Sequence, residues 1–539
     1  MISRYLPIRE LQSKLPLPQL EMLGAILLRV EDLNNAPDLI SNKQFLGQLY
    51  DSFHGADLLA QHSSRAKLLE CVPEVELRRL EHVLGLAPAS SFTDMVRTIA
   101  SINWGNNQPT QAFLDFFGYP GEFIPEPAEP TPVEESLPTH EKPYKILHKY
   151  QADVFHETSA YLKTPCCRVL LQMPTGAGKT RTAMEVISRF INDNTGCRVL
   201  WLAHSEELCD QAVDAFKETW AHVGRRPVRL FRCWGANTPE FPSPEDSFTV
   251  AGFSKAHRLL KGGTERPQAD LIVVDEAHMS LAPTYSEVIA WARSMSARVL
   301  GLTATPGRSI SNFDENAALS AFYNENIVSI PDEGEGVIRR LQGMGILANC
   351  DRSPLYTNIA FHLSVDEWKS LEEEMDYSKA FLERVAADQE RNRIIIEKLW
   401  ALAEQGQQVL LFAASVEQSR MLCAALLYKK YSAAHIDGGT SKENRRSSIA
   451  KFRRGEIGII CNYGVLATGF DAPNIDVVFI ARPTKSIVLY SQMLGRGMRG
   501  PAVGGTETFT LVDVIDNVTD YSSDLDDIYE FFEDYWLQQ

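Results

Sequence analysis

Eight residues, Met173-Pro174-Thr175-Gly176-Ala177-Gly178-Lys179-Thr180, carry the types and spacing for phosphate chemistry. Gly176 and Gly178 let a backbone wrap around phosphate oxygens, with the N–H groups of Thr175 and Ala177 between and beside them. Lys179 would reach the β and γ phosphates, and the Thr180 hydroxyl would ligate Mg²⁺. The expected cofactors are therefore ATP and Mg²⁺. Met173 stands where such a loop usually has its first glycine. A second constellation, Asp275-Glu276-Ala277-His278, follows about 95 residues past Lys179. One carboxylate there suits the metal and its neighbour suits the attacking water, so Asp275 is assigned to Mg²⁺ and Glu276 to the water.

These groups need elements that aim them. Residues 169–171 are an apolar run that predicts a buried strand, and 181–190 predict a helix, so the glycine-rich turn opens a helix N-terminus, where unpaired N–H groups favour anions. Residues 271–274 predict a second buried strand running straight into Asp275. Further strands are expected at 198–202 and 299–302, and a second set at 409–412, 457–460, 477–480 and 509–512, each set alternating with helical stretches. That alternation predicts two tandem α/β units with doubly wound parallel sheets.

The outlying parts differ in composition. Residues 1–119 are leucine-rich at helical spacing, with Leu20, Leu23 and Leu27 on one face and Leu77, Leu80 and Leu84 on another, and predict a helical domain without chemistry of its own. Residues 120–143 hold seven prolines and six glutamates, a composition that predicts an extended linker leaving the helical domain free to move. The first unit is placed at 144–330 and the second, with a connecting segment, at 331–517. An acidic helix is expected over 518–539, where Leu525, Ile528, Phe532, Tyr535 and Trp536 repeat at helical spacing.

The net charge of −17 sits oddly with nucleic acid as a partner. Residues 500–539 carry ten acidic side chains and no basic one, and the linker adds six glutamates against Lys142, so the rest of the chain is nearly neutral. The nine cysteines form no Cys-x-x-Cys pair, so neither a zinc ribbon nor a thioredoxin-like redox motif is signalled. No apolar run reaches the roughly 18 to 20 residues of a membrane span, and residues 1–10 lack a signal-peptide layout. A cytoplasmic protein without a membrane partner is expected.

Taken together, the motifs resemble those of the superfamily 2 helicases and translocases over residues 144 to about 517. The resemblance implies two RecA-like domains behind a helical N-terminal domain, and nucleic-acid-stimulated ATP hydrolysis. Leu147-His148-Lys149-Tyr150-Gln151 resembles the element whose glutamine, here Gln151, reads adenine. Ala203-His204-Ser205 through Gln211 resembles motif Ia, Gly252-Phe253-Ser254-Lys255 a further nucleic-acid loop, and Thr303-Ala304-Thr305-Pro306 motif III. Ala467-Thr468-Gly469-Phe470-Asp471 resembles motif V, and Gln492-Met493-Leu494-Gly495-Arg496-Gly497-Met498-Arg499 resembles motif VI. By that resemblance His204, Ser254, Lys255 and Thr468 touch nucleic acid, Gly469 and Asp471 touch the nucleotide, and Gln492, Arg496 and Arg499 join catalysis from the second domain. A guanidinium fork suits the γ-phosphate transition state, which a phosphate loop alone leaves short of positive charge.

Thr-Ala-Thr-Pro in motif III and Gly-Arg-Gly-Met-Arg in motif VI resemble the duplex-DNA translocases, among them RadD, XPB and the motor subunits of type I and type III restriction enzymes. So do residues 336–347 and Asp388-x-x-Arg391-Asn392 between the two domains. The expectation is an ATP-dependent helicase or translocase on double-stranded DNA, in repair, restriction or anti-phage defence. An RNA helicase is the alternative among enzymes. A third reading is an ATP-driven motor or switch subunit that assembles with a protein partner through residues 1–119.

Overall fold

The computed structural model describes residues 1–33, 35–54, 57–119, 132–138, 143–239, 245–263, 267–304, 313–331, 334, 336–374, 376–467 and 474–519. Two sheets dominate it. The first is built from β1 (Glu134–Leu137), β2 (Arg168–Gln172), β3 (Arg198–Ala203), β4 (Val228–Cys233), β5 (Ser247–Gly252), β6 (Ala269–Asp275), β7 (Arg293–Thr303) and β8 (Ile327–Ser329), in the order β1-β4-β5-β3-β6-β7-β2-β8. The pairings from β4 to β8 are parallel, and β1 joins the edge antiparallel to β4. The second sheet is built from β9 (Asn349–His362), β10 (Val409–Phe412), β11 (Ala433–Ile436), β12 (Ile459–Asn462), β13 (Val477–Ile480) and β14 (Thr508–Thr519), all parallel, in the order β11-β12-β10-β13-β14-β9. Strands β2, β10, β12 and β13 are apolar on both faces because helices cover both sides of each sheet. The fold is thus the expected pair of doubly wound lobes.

Three expectations need correcting. Part of the proline-rich stretch is structured: Glu134–Leu137 pairs with β4, and Arg232, fully buried, donates to the Pro132 carbonyl at 2.7 Å and to Glu135 at 3.1 Å. The second sheet takes its edge strand β9 from the connecting segment, well before residue 409. Val518 and Thr519, placed by the sequence in a terminal helix, instead end β14. The rest of that expected helix, like most of the linker, lies outside the described residues.

The helical N-terminal region also departs from expectation. Its α-helices run from Ile8–Lys14 to Gln108–Phe117, and Leu20, Leu23, Leu27, Leu77 and Leu80 are buried as their spacing requires. Their core does not close on itself. It continues into the second lobe through Leu399, Trp400, Leu422, Leu426 and the β10 face of Val409 and Leu411. Phe45 meets Tyr428 edge to face, the Asn444 amide donates to the His54 carbonyl at 2.8 Å, and Lys429 pairs with Glu31. The helical domain is therefore seated on the second lobe rather than free. Helix faces that a periodicity reading assigns to the bundle interior supply this seat instead.

Candidate nucleotide site between the lobes

The phosphate loop leaves β2 and turns at Gly176 and Gly178, both at φ 85°, before the helix Lys179–Asp193. Both glycines are required by conformation and by space: a Cβ on Gly178 would lie 2.3 Å from the Gln151 amide nitrogen, and one on Gly176 would lie 2.9 Å from Leu347 Cδ2. Met173, which replaces the usual first glycine, is fully buried, and its N–H donates to the Thr303 carbonyl at the end of β7 at 3.1 Å. The departure from pattern therefore fills core and leaves the loop's anion-facing part intact. The loop is braced from below. The Tyr150 hydroxyl donates to the Ala177 carbonyl at 3.0 Å and the Gln151 amide donates to it at 3.3 Å, while Gln151 Oε1 accepts from His148 N at 3.1 Å. Tyr150 is a supporting residue the sequence reading passed over, although it stands one position before Gln151.

Asp275 ends β6 and is buried. Glu276 follows in the left-handed region, at φ 56° and ψ 64°, a conformation costly for a residue with a side chain and found where geometry serves a site. Its carboxylate is the meeting point of the cleft. Lys179 Nζ lies 4.0 Å from Oε1, His278 Nδ1 lies 3.5 Å from Oε2, and the Gln492 amide of the second lobe donates to Oε1 at 3.2 Å. Burial pushes both acids up. In Asp275 burial prevails over nearby Lys179 and, with the Glu276 charge, holds the carboxyl above the ordinary carboxylate range. In Glu276 burial is outweighed by Lys179, His278, His204 and the Gln492 hydrogen bond, so its pKa falls below the ordinary value. Two adjacent carboxyls are thereby set apart, with Glu276 the more readily ionised. Among the described residues no group of three or more His, Cys, Asp or Glu forms a metal cage. A single buried carboxylate of raised pKa beside a hydroxyl-bearing loop fits Mg²⁺, which takes few protein ligands and the rest from phosphate and water.

Motif VI begins in the last turn of the helix Ile487–Leu494 and continues through the turn after it. That turn abuts the phosphate loop: Met498 and Leu347 are buried over Gly176, and a Cβ on Gly495 would lie 2.1 Å from Thr175 Cγ2. Arg496 Nε donates to the Gln492 carbonyl at 3.2 Å. Arg499 is held by its backbone in an antiparallel bridge to Leu347, with Ala348 N donating to the Met498 carbonyl at 2.9 Å. The connecting segment at 345–348 thus fixes the arginine turn, a role not visible in its sequence.

The structure brings Lys179, Thr175, Gly176, Ala177, Gly178, Asp275, Glu276 and Gln492 together, with Arg496 one helical turn from Gln492. His204 is exposed at the start of motif Ia, near enough to Glu276 to act on its charge. Ser254 is exposed on the helix Phe253–Lys261, apart from the nucleotide cluster, and Lys255 Nζ reaches the Gly235 carbonyl at 3.4 Å. Thr468, Gly469 and Asp471 lie outside the described residues. Asp388, Arg391 and Asn392 prove to be scaffold. Asp388 caps the helix Gln389–Glu404, Arg391 is buried against Asp516 at 2.9 Å, and Asn392 donates to the Ala386 carbonyl at 2.8 Å.

Two doubly wound lobes with a phosphate loop and paired carboxylates on one, and a glutamine reaching them from the other, define the tandem RecA-like class of helicase superfamily 2. The comparisons agree. The family model for the type III restriction enzyme res subunit matches residues 144–308, and that for the helicase conserved C-terminal domain matches residues 390–500. A 51.5 kDa protein of a Lactococcus phage is 27% identical over 330 residues, covering 61% of this chain and 62% of that protein. The putative ATP-dependent helicase IRC3 of Saccharomyces cerevisiae is 24% identical over 66% of this chain and 49% of its own length. The type I restriction enzyme EcoKI endonuclease subunit of Escherichia coli is 26% identical over 69% of this chain and 34% of its own. A solved structure of the ATP-dependent type ISP restriction-modification enzyme LlaBIII bound to DNA aligns over 70% of this chain and 28% of that one, with a TM-score of 0.50 at 18% identity. The chain thus belongs to helicase superfamily 2 and is similar to restriction-enzyme subunits of that group, and it spans less than two thirds of the length of these relatives. Among the described residues no helix is long and apolar enough to cross a membrane.

Proposed function

We propose that this chain is an ATP-driven motor acting on nucleic acid, with double-stranded DNA as its track, in repair, restriction or defence against foreign DNA. The observation that carries the reading is the Gln492 amide of one lobe donating at 3.2 Å to Glu276 of the other, beside Lys179. A carboxylate addressed from both lobes links hydrolysis to lobe closure, and so to displacement along a track. In this reading Thr175, Gly176, Ala177, Gly178 and Lys179 hold the phosphates, and Gln151 reads the base. Asp275 and Thr180 hold Mg²⁺, which when bound neutralises charge on the β and γ oxygens. Glu276 orients the attacking water and accepts its proton. Arg496 and Arg499 reach toward the γ-phosphate, and Gly469 and Asp471 complete the nucleotide cleft. His204, Ser254, Lys255 and Thr468 line the path of the nucleic acid. What favours a DNA track in this reading is the similarity to a restriction enzyme subunit.

Steady-state ATPase with duplex DNA, single-stranded DNA and RNA tests this. Duplex DNA is expected to stimulate the wild type most, and Gln492→Ala is expected to keep nucleotide binding while losing the stimulation. Greater stimulation by RNA would favour an RNA helicase instead. One observation favours a second reading, a motor subunit in a larger assembly: the helical domain is seated on the second lobe, so a protein bound to it would travel with that lobe. Co-purification of a stoichiometric partner that depends on residues 1–119 is the test of that reading.

A further inference from the structure

A small helical segment stands on the far end of the β9–β14 pair. The helices Val365–Glu374 and Lys379–Ala386 enclose their own apolar cluster of Leu363, Leu371, Tyr377, Phe381 and Val385. Tyr377 stacks on Phe381 with ring centroids 4.7 Å apart, and Arg384 ties the segment to Glu367 at 3.0 Å and to the His362 carbonyl at 2.7 Å. A built platform of this kind holds the residue beside Tyr377, Asp376, in one place.

Asp376 reaches out of that platform. Its Oδ2 accepts from Arg482 Nη2 at 2.8 Å, and its Oδ1 accepts from the Thr484 hydroxyl and from the Lys485 backbone N–H, each at 2.9 Å. These three donors lie on the loop between β13 and the helix Ile487–Leu494. The Thr484 oxygen in turn accepts from Ser486 N at 3.1 Å, and Ser486 caps the helix by accepting from Leu489 N at 3.2 Å. One carboxylate therefore sets where this helix starts. The helix is short, about 12 Å at 1.5 Å per residue, so its far end follows its start as a rigid body. That far end bears Gln492, bonded to Glu276, and leads into Arg496.

We infer that Asp376 is a positioning residue for turnover: through Arg482, Thr484 and Lys485 it holds the motif VI helix at the height where Gln492 and Arg496 meet the first lobe. The inference rests on the reading of motif VI as catalytic. A platform on the end of β9, a strand remote in sequence from motif VI, thereby becomes part of the catalytic geometry.

Asp376→Asn keeps an acceptor for Thr484 and Lys485 but turns an amide donor toward the Arg482 guanidinium. Thr484→Val removes the hydroxyl link without touching the charges. Both are expected to lower kcat by about 10-fold, within the roughly 10²-fold that a 1 Å misplacement costs, with the KM for ATP and the thermal midpoint unchanged. In a background lacking both groups, Gln492→Ala with Arg496→Ala, neither is expected to lower the rate further, because residues acting through the same groups are not additive. Wild-type kcat in Asp376→Asn and Thr484→Val, with Arg496→Ala impaired, would overturn the inference. Losses that multiply with that of the double variant Gln492→Ala, Arg496→Ala would overturn it as well. Wild-type turnover in Arg496→Ala would instead overturn the motif VI reading, and this inference with it.

Discussion

Gly495→Ala isolates the contact between the lobes, because it changes no charge and no hydrogen-bonding group. Gly495 sits at φ −58° and ψ −15°, where alanine is as comfortable as glycine, and the Ser491 carbonyl, 3.0 Å from the new carbon, must give by only a few tenths of an ångström. The obstacle is Thr175 of the phosphate loop. The new methyl carbon would stand 2.1 Å from Thr175 Cγ2 and 2.8 Å from its Cβ, where ordinary contact begins at 3.4 Å. The arginine turn and the phosphate loop must therefore part by about 1 Å, a displacement that lowers turnover on the order of 10²-fold when reacting groups depend on it. Steady-state ATPase, with nucleotide affinity measured separately by fluorescence titration, reads the effect. A fall in kcat is expected while the chain stays folded. Thr175→Ser deletes Cγ2, the atom in closest overlap, and in the double variant it should recover a large part of the rate. Gly495→Ala at wild-type kcat would refute the reasoning, since the lobes could not then meet here during turnover.

Glu276→Gln should still bind ATP and Mg²⁺, because Asp275 and Lys179 remain, and should lose turnover on the order of 10²- to 10⁴-fold, as expected for removal of a general base; equilibrium binding beside single-turnover kinetics checks both halves. Deleting residues 1–119 should yield an insoluble or aggregating motor, because the deletion bares the apolar face formed by Leu399, Trp400, Leu422 and Leu426, and sedimentation of the purified fragment tests it. Asp513 gives a pH prediction. Burial pushes its carboxyl up to about 7, against the Tyr490 hydroxyl donating at 2.9 Å, so the folded state holds a proton that the unfolded chain releases near pH 4. Stability then falls as pH rises from about 4 to 7, by at most about 4 kcal/mol for this group. Asp513→Asn should match the wild type in thermal midpoint below that window and exceed it above.

The phosphate loop and the carboxylate pair were legible because their chemistry is local. A glycine at φ 85°, a lysine at a helix start and an acid at a strand end leave their mark within a few residues. Strands such as β10 and β13 were legible for the same reason, being short, fully buried apolar runs. What escaped depends on partners distant in sequence. The edge strand β9 alternates exposed and half-buried residues and includes Pro354, so nothing in its composition announces a strand until β14 pairs with it. Leu20 and Leu23 look alike whether a helix face meets its own bundle or another domain. The same holds for Gly345 to Ala348, whose task of holding the arginine turn appears only when Leu347 lies against Arg499. Arg391, noted in the sequence only for its resemblance to a stretch between the lobes, pairs with Asp516 across 125 residues of chain, a partner no local pattern announces.

The shared core of the helical domain and the second lobe also imposes an order on the protein's birth. Ribosomes release the chain from its N-terminus, so residues 1–119 emerge first, yet the surface that covers their remaining apolar face belongs to residues 389–428. At roughly 5 to 20 residues per second, some 300 further residues keep that face waiting for about 15 to 60 s. Throughout this interval the entire first lobe is being made between the two halves of one core. The final seating of the helical domain is therefore completed only after the first lobe has left the ribosome.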